Sequence, residues 1–288
     1  MNTQTLLEEL RQLHHDGRLC LFVGAGVSES CRLPNWDALS NRVVLEAFRD
    51  EVPLDLGQTA NRNAALKKPP LGAMRAARRA LKKKFNSVVK ECLYSMTPEL
   101  SETVKAIALL RKVRNICCFN YDDVLEAAYE QNGITYRPVT EADELPLHRD
   151  DVLIFHPHGF LPRSSFKRNY SEERIIISED DYHELYSSPH SWPNMIQVSL
   201  LMSFSILFIG CSFADPNIRR LLDICKRVQL GNKYYSLSKR PTYEYGPEWY
   251  RCLMSSQQFE EDDLLDRGVT PIWYEDHPDV PGLLNKIL

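Results

Sequence analysis

The sequence predicts an α/β fold: a Rossmann-like, doubly wound and mainly parallel sheet of about six strands, with a helical insertion. Three observations point there. Short apolar, β-branched or aromatic runs recur at 19–23, 114–119, 152–156, 205–209, 233–237 and 269–274, most of them without polar alternation. Such runs suit strands covered on both faces. Helical patterns separate them, as crossover connections between parallel strands require. Polar turns containing Gly, Asn or His follow the runs at 19–23, 114–119, 152–156 and 205–209, and the carboxyl ends of strands are where an open α/β sheet holds ligands.

In chain order, residues 2–15 read as an amphipathic helix with both charge signs, and LCLFV at 19–23 as the first buried strand. Gly24-Ala25-Gly26-Val27-Ser28 then turns sharply and runs to Leu33-Pro34-Asn35-Trp36 before any helix begins. Residues 50–112 carry two or three helical patterns and no convincing strand, so they read as a helical insertion. Further helices are expected at 36–49, 71–95, 98–111, 122–131, 179–187, 191–204, 215–228, 247–266 and 281–287. Asp215-Pro216 gives one of them a cap followed by proline at the first helical position. Residues 157–178 read as a loop or short hairpin.

Within the insertion, Lys67, Lys68, Arg75, Arg78, Arg79, Lys82, Lys83 and Lys84 occur with no acid among them. On a helix, Arg75, Arg78, Arg79 and Lys82 share one stripe while Leu71, Met74, Leu81 and Phe85 share another. A solvated basic face over a core seam, a subunit or partner contact, and a phosphate contact all fit this pattern. Overall, 35 basic side chains stand against 39 acidic ones, a net of −4. No global field therefore recruits nucleic acid or an anionic membrane. No apolar stretch approaches the ~20 residues of a membrane span, and the N-terminus does not read as a secretory signal. A cytoplasmic protein is expected. The eight cysteines lack Cys-x-x-Cys spacing and read as small buried hydrophobes of a reducing compartment, with no zinc.

Four turns could carry chemistry. In the first, Gly24 and Gly26 let the backbone approach a pyrophosphate. The third glycine of the dinucleotide fingerprint is replaced by Glu29, and taken alone the segment also fits a tight turn with no ligand. The second is Phe119-Asn120-Tyr121-Asp122-Asp123, whose acids fit a helix cap while Asn120 stays unexplained. The third is His156-Pro157-His158-Gly159, which is expected to expose an imidazole on the turn. The fourth runs from Gly210 to Asn217; Gly210 and Ser212 suit ribose or phosphate, and Asp215 suits a cap alone.

In this order and spacing, GAGVS…LPNW, FNYDD, HPHG and GCSFADPN resemble the sirtuin-like family, specifically its zinc-less branch of bacterial anti-phage NAD-consuming proteins. The likeness starts near residue 17, reaches the C-terminus, and includes IIISEDDYHELY and VTPIWYEDH. It implies one sirtuin-like domain over 1–288 with the insertion at about 50–112. It also implies that Gly24, Ala25, Gly26, Ser28, Trp36, Gly210 and Ser212 bind NAD, that Asn120 with Asp122 organises the nicotinamide ribose, and that His158 rather than His156 is the catalytic base. Two features depart from the deacetylases of the family: the Cys-x-x-Cys zinc pairs are missing, and Asn35-Trp36-Asp37 stands where Phe-Arg is usual. The expected activity is therefore hydrolysis of NAD to nicotinamide and ADP-ribose. Protein deacylation, ADP-ribosyl transfer and non-catalytic NAD sensing are the alternatives. An unregulated NAD hydrolase would starve its own cell, and the chain continues only briefly past VTPIWY. Control is expected from assembly: the resemblance implies homo-oligomers and, for some short relatives, a HerA-type ATPase partner.

Overall fold

A computed structural model describes residues 2–49, 69–144, 151–163, 173–228, 231–241 and 247–288. Seven strands are present: β1 (Leu19–Val23), β2 (Asn115–Cys118), β3 (Tyr136–Val139), β4 (Val152–Phe155), β5 (Ser205–Ile209), β6 (Tyr234–Lys239) and β7 (Val269–Tyr274). They form one sheet in the order β3-β4-β2-β1-β5-β6-β7, with every pairing parallel. Central β1 pairs Leu21 with Ile116 on one side and with Leu207 on the other. All five of its residues are buried, which is why its sequence shows no alternation.

The strand beyond the expected six is β3. Its residues Tyr136-Arg137-Pro138-Val139 bury only the valine, and proline is tolerated because β3 lies at the sheet edge, where one side of the backbone needs no ladder partner. Pro271 sits in the other edge strand, β7.

Twelve α-helices are described: α1 (Thr3–His15), α2 (Ala25–Ser30), α3 (Trp36–Ala47), α4 (Pro70–Leu81), α5 (Phe85–Leu93), α6 (Glu102–Leu109), α7 (Val124–Gln131), α8 (Glu179–Ser187), α9 (Trp192–Ser203), α10 (Pro216–Val228), α11 (Pro247–Asp266) and α12 (Asp279–Asn285). Two differ from expectation. A helix, α2, begins directly after Gly24, where an open loop to Trp36 is expected; six residues are too few to display a 3.6-residue apolar period. The long helix expected over 71–95 breaks at Lys82, whose φ of 51° is left-handed. A 3₁₀ turn over the three lysines Lys82–Lys84 then leads into α5.

Apolar side chains gather in three clusters. Leu6, Leu7 and Leu10 of α1 pack with α6, α7 and α12 on one face of the sheet, while α9 and α10 cover the other. The third cluster, from Leu39 to Leu93, joins α3, α4 and α5, and it takes in Tyr121, Leu161, Ile175 and Ile177 from the loops above the sheet. Each fully buried Leu, Met or Phe there contributes roughly 1.5–3 kcal/mol. The helices before β2 thus brace the carboxyl-end loops. Residues 50–68 of the expected insertion lie outside the described residues.

The basic stripe of α4 divides: Arg79 and Lys82 are exposed, as a solvated face expects, whereas Arg75 and Arg78 are part-buried and paired. Arg78 donates to Asp181 Oδ1 at 2.6 Å and to the Ile175 carbonyl at 3.0 Å, and Arg75 contacts Glu179 and Asp180 at 3.1 and 2.9 Å. The acidic first turn of α8 answers these cations, as the partial positive charge at a helix start also favours.

Candidate active site

The strand order reverses between β1 and β5: from β1 the chain crosses to β2, and from β4 it returns to β5 on the other flank. Loops at the carboxyl ends of these two strands border the crevice in which α/β sheets bind ligands. Here the two loops interlock. Gly24 N–H donates to the Ile209 carbonyl at 2.9 Å and Gly26 N–H to the Gly210 carbonyl at 3.0 Å. A Cβ on Gly24 would lie 2.5 Å from the Gly210 oxygen, and Gly210 itself has φ +65°. These glycines are therefore required for the close approach of the two turns. The amides of Gly24 and Gly26 are committed to that contact. Ala25 is exposed at the rim and Ser28 is buried below it.

Every residue of the turn after β2 has its own task. The Phe119 ring lies 5.3 Å from the His158 ring. Asn120 is buried, and its Nδ2 donates to the Gly24 carbonyl at 2.9 Å; Tyr121 donates to the Ile176 carbonyl at 2.7 Å. Asp122 accepts from Ser28 Oγ at 2.6 Å and from the Val124 N–H at 3.2 Å, so it both holds the first amide of α7 and ties the turn to α2. Asp123 accepts from Arg163 N–H and Nε at 2.8 and 2.7 Å. Burial without a countercharge pushes the Asp122 carboxyl up to about 6, although the Ser28 and Val124 hydrogen bonds oppose it.

The turn after β4 separates its two histidines. His156 is enclosed: Nδ1 meets the Asn120 carbonyl at 3.1 Å and Nε2 meets Glu126 Oε1 at 2.9 Å, with the ring stacked on Phe160 at 4.2 Å. It supports the Asn120 turn. His158 differs. The turn buries its side chain to 7% exposure, where an exposed imidazole is expected, because Gly159 (φ +95°) curls the chain under Arg174 and Ile175. Its enclosed Nε2 has no hydrogen-bond partner and lies 3.5 Å from Asp215 Oδ2. Burial holds the His158 imidazole below its usual range, while the charges of Asp215 and Asp181 pull the other way. A neutral ring able to take up a proton is the result.

Asp215 caps α10, its Oδ1 accepting the Asn217 N–H at 2.7 Å, but it does more than the sequence suggests. Its other oxygen faces His158 and accepts from the Tyr182 hydroxyl at 3.2 Å. The Asp-Pro cap signature accounts for the residue so fully that this second role leaves no local trace. Ser212 is exposed at the rim, with its Oγ turned to the Ala214 N–H at 3.3 Å. Trp36 opens α3 and packs, half-buried, against the third apolar cluster; it shares no hydrogen bond with the turns above.

A cavity of about 330 Å³ lies beside this region, bordered by Thr140, Glu141, Pro157, Gly159 and Trp192. It touches the back of the histidine turn but none of Ser28, Asn120, His158 and Asp215. The polar side chains described above gather at the four turns rather than in this hollow. Among the described residues no group of three or more His, Cys, Asp or Glu is placed to hold a metal. Seven cysteines are described, all free: six are buried and Cys211 is half-buried; the Cys252 side chain lies outside the description. No described helix is long and apolar enough to cross a membrane.

Fold and site together define a doubly wound α/β domain whose polar groups gather at the carboxyl ends of β1, β2, β4 and β5. Comparison with known proteins agrees: the SIR2-like domain family matches residues 114–256. The match takes in just under half of the chain and marks a likeness to sirtuin-like proteins. The chain is 23% identical over 305 residues to an NAD(+) hydrolase ThsA of Cytobacillus dafuensis, an alignment covering 99% of this chain and 56% of that protein. It is 25% identical to the NAD(+) hydrolase ThsA of Bacillus cereus over 85% of this chain and 44% of the relative. Defense-associated sirtuin 2 of Bacillus subtilis is 21% identical over 79% of this chain and 21% of its own length. The chain thus spans about half the length of the ThsA relatives and about a fifth of the defence-associated sirtuin. A solved Sir2 enzyme structure aligns with a TM-score of 0.48 at 14% identity, over 100% of this chain and 96% of that one.

Proposed function

We propose that this chain is an NAD+ glycohydrolase, releasing nicotinamide and ADP-ribose, and that it serves regulated NAD depletion in anti-phage defence. One observation supports the reading: the Phe119 ring, next in sequence to Asn120, lies 5.3 Å from the His158 ring, while Asn120 Nδ2 donates to the Gly24 carbonyl of the glycine turn at the β1/β5 crevice. The names of the relatives supply the substrate.

In NAD the nicotinamide ring is already cationic, so the bond from ribose C1′ to the ring nitrogen breaks toward an oxocarbenium-like centre and the ring leaves neutral. Catalysis then consists mainly of holding the ribose, shielding it and presenting water. Orientation of this kind supplies up to about 7–11 kcal/mol in ideal cases. With Nδ2 fixed on Gly24, Asn120 presents Oδ1 as an uncharged acceptor for a ribose hydroxyl or the attacking water. His158, neutral at pH 7, takes the proton, a step worth about 10²–10⁴-fold. Asp122, buried under Ser28, fixes the turn that carries Asn120. Gly24, Ala25, Gly26, Ser28, Gly210 and Ser212 would form the walls for the pyrophosphate and ribose, with Trp36 at the entrance.

Product analysis by mass spectrometry tests this. Purified protein with NAD is expected to yield free nicotinamide and ADP-ribose in equal amounts. Labelled protein or O-acyl-ADP-ribose would point to transfer instead, and binding with no product, even with candidate activators, would point to a sensor. The homo-oligomer and the HerA-type ATPase partner belong to the same proposal. Sedimentation showing a monomer at all concentrations would remove the oligomer from it.

A further inference from the structure

We infer that Asp215, steadied by Tyr182, is the positioning group for the His158 imidazole; this deepens the NAD-cleaving reading and rests on it. The two ring nitrogens of His158 are not equivalent. Nε2 is enclosed, unpaired and 3.5 Å from Asp215 Oδ2, so Nδ1 is the nitrogen assigned to the ligand. Asp215 divides its oxygens between two tasks: Oδ1 takes the Asn217 N–H at 2.7 Å, and Oδ2 takes the Tyr182 hydroxyl at 3.2 Å while facing the ring. The Tyr182 ring lies 6.2 Å from the His158 ring and Phe119 lies 5.3 Å from it, so aromatic surface restrains the imidazole on two sides. Asp181, the other acid acting on His158, is engaged by Arg78 and by the Ile177 and Ser178 amides. Asp215 is therefore the carboxylate whose charge is directed at the ring.

The electron and proton count fits this geometry. As the C1′–nitrogen bond breaks, its electron pair passes to the pyridinium ring. The water oxygen bonds to C1′, and its proton moves to Nδ1 of His158. The ring then carries N–H at both nitrogens and a positive charge, and Nε2–H points at Asp215 Oδ2. A carboxylate in that place orients the ring beforehand and stabilises the cation afterwards, as in other histidine–carboxylate pairs. A separation of 3.5 Å is of the kind that tightens once substrate is held.

Asp215→Asn tests the inference, because asparagine keeps an oxygen for the Asn217 N–H and caps a helix as well as aspartate does, while the charge is lost. Two readouts are taken. In an NMR titration of His158, assigned with His158→Gln, the midpoint is expected to fall in Asp215→Asn. In the pH profile of nicotinamide release, the acid limb is expected to move the same way, with kcat about 10²-fold lower and KM within about threefold. Tyr182→Phe keeps the charge and loses its donor; it is expected to shift both readouts in the same direction by less, and it stands in should Asp215→Asn fail to fold. A His158 titration unchanged in both variants overturns the inference. The NMR arm needs no turnover, so a shifted titration in a protein that releases no nicotinamide would sustain the pairing and sink the function.

Discussion

His156 and His158 stand two residues apart on one turn, each beside a carboxylate, and the two pairs are built differently. His156 is bonded at both nitrogens, to the Asn120 carbonyl and to Glu126. His158 keeps one nitrogen enclosed and unpaired beside Asp215. A buried polar group with all its partners stabilises; one left short is tolerated where something else is gained. The difference teaches that residue type and burial alone do not distinguish these two imidazoles, and that the pairing of the ring nitrogens does.

Breaking the His156–Glu126 pair has the largest expected effect. Glu126→Ala leaves His156 enclosed without its partner and is expected to lower stability by about 3–5 kcal/mol in urea denaturation, whereas Asp215→Ala, which loses a helix cap, is expected to cost about 1 kcal/mol. Equal losses would erase the distinction between the two pairs.

The acid under Asn120 gives the next effect. With its folded-state value raised to about 6 from 3.8, Asp122 contributes stability that is fully present below about pH 4 and lost as pH rises through 6. The difference corresponds to about 3 kcal/mol. Asp122→Asn keeps both hydrogen-bonding positions and removes the titration. Its stability relative to wild type is therefore expected to climb between pH 4 and 6 and then level off; a pH-independent difference would show that the carboxyl is not desolvated as described.

A smaller change is expected at the brace beyond the histidine turn. Arg78→Met removes the bonds to Asp181 and the Ile175 carbonyl and the guanidinium over the Phe85 ring. A loss of about 2 kcal/mol is expected, with faster hydrogen exchange at Ile176, whose amide donates to the His158 carbonyl at 2.9 Å. Exchange unchanged there would separate the brace from the turn. The smallest effect belongs to Glu126→Gln: the amide can donate to His156 Nε2, so a loss near 1 kcal/mol is expected, well short of that for Glu126→Ala.

Much of this arrangement is legible in the sequence, for identifiable reasons. Buried strands such as LCLFV and SILFI declare themselves because both faces are covered, and the glycine, asparagine and histidine turns stand out because they follow those strands. What escapes notice depends on distance or brevity. The six residues of α2 show no period, and Pro138 in β3 disguises an edge strand. Arg75 and Arg78 of the basic stripe on α4 meet acids about a hundred positions later in the chain, and Asp215 meets a histidine that lies 57 positions before it. Pairings of that kind are products of the fold, and local pattern carries no record of them.

The most direct test of the whole account is the rate of nicotinamide release from NAD by wild type, Asn120→Ala and His158→Ala, each checked for a native melting transition. Turnover by wild type and a loss of at least about 10²-fold in both folded variants is the expected result. Wild-type turnover that either variant leaves intact would contradict it.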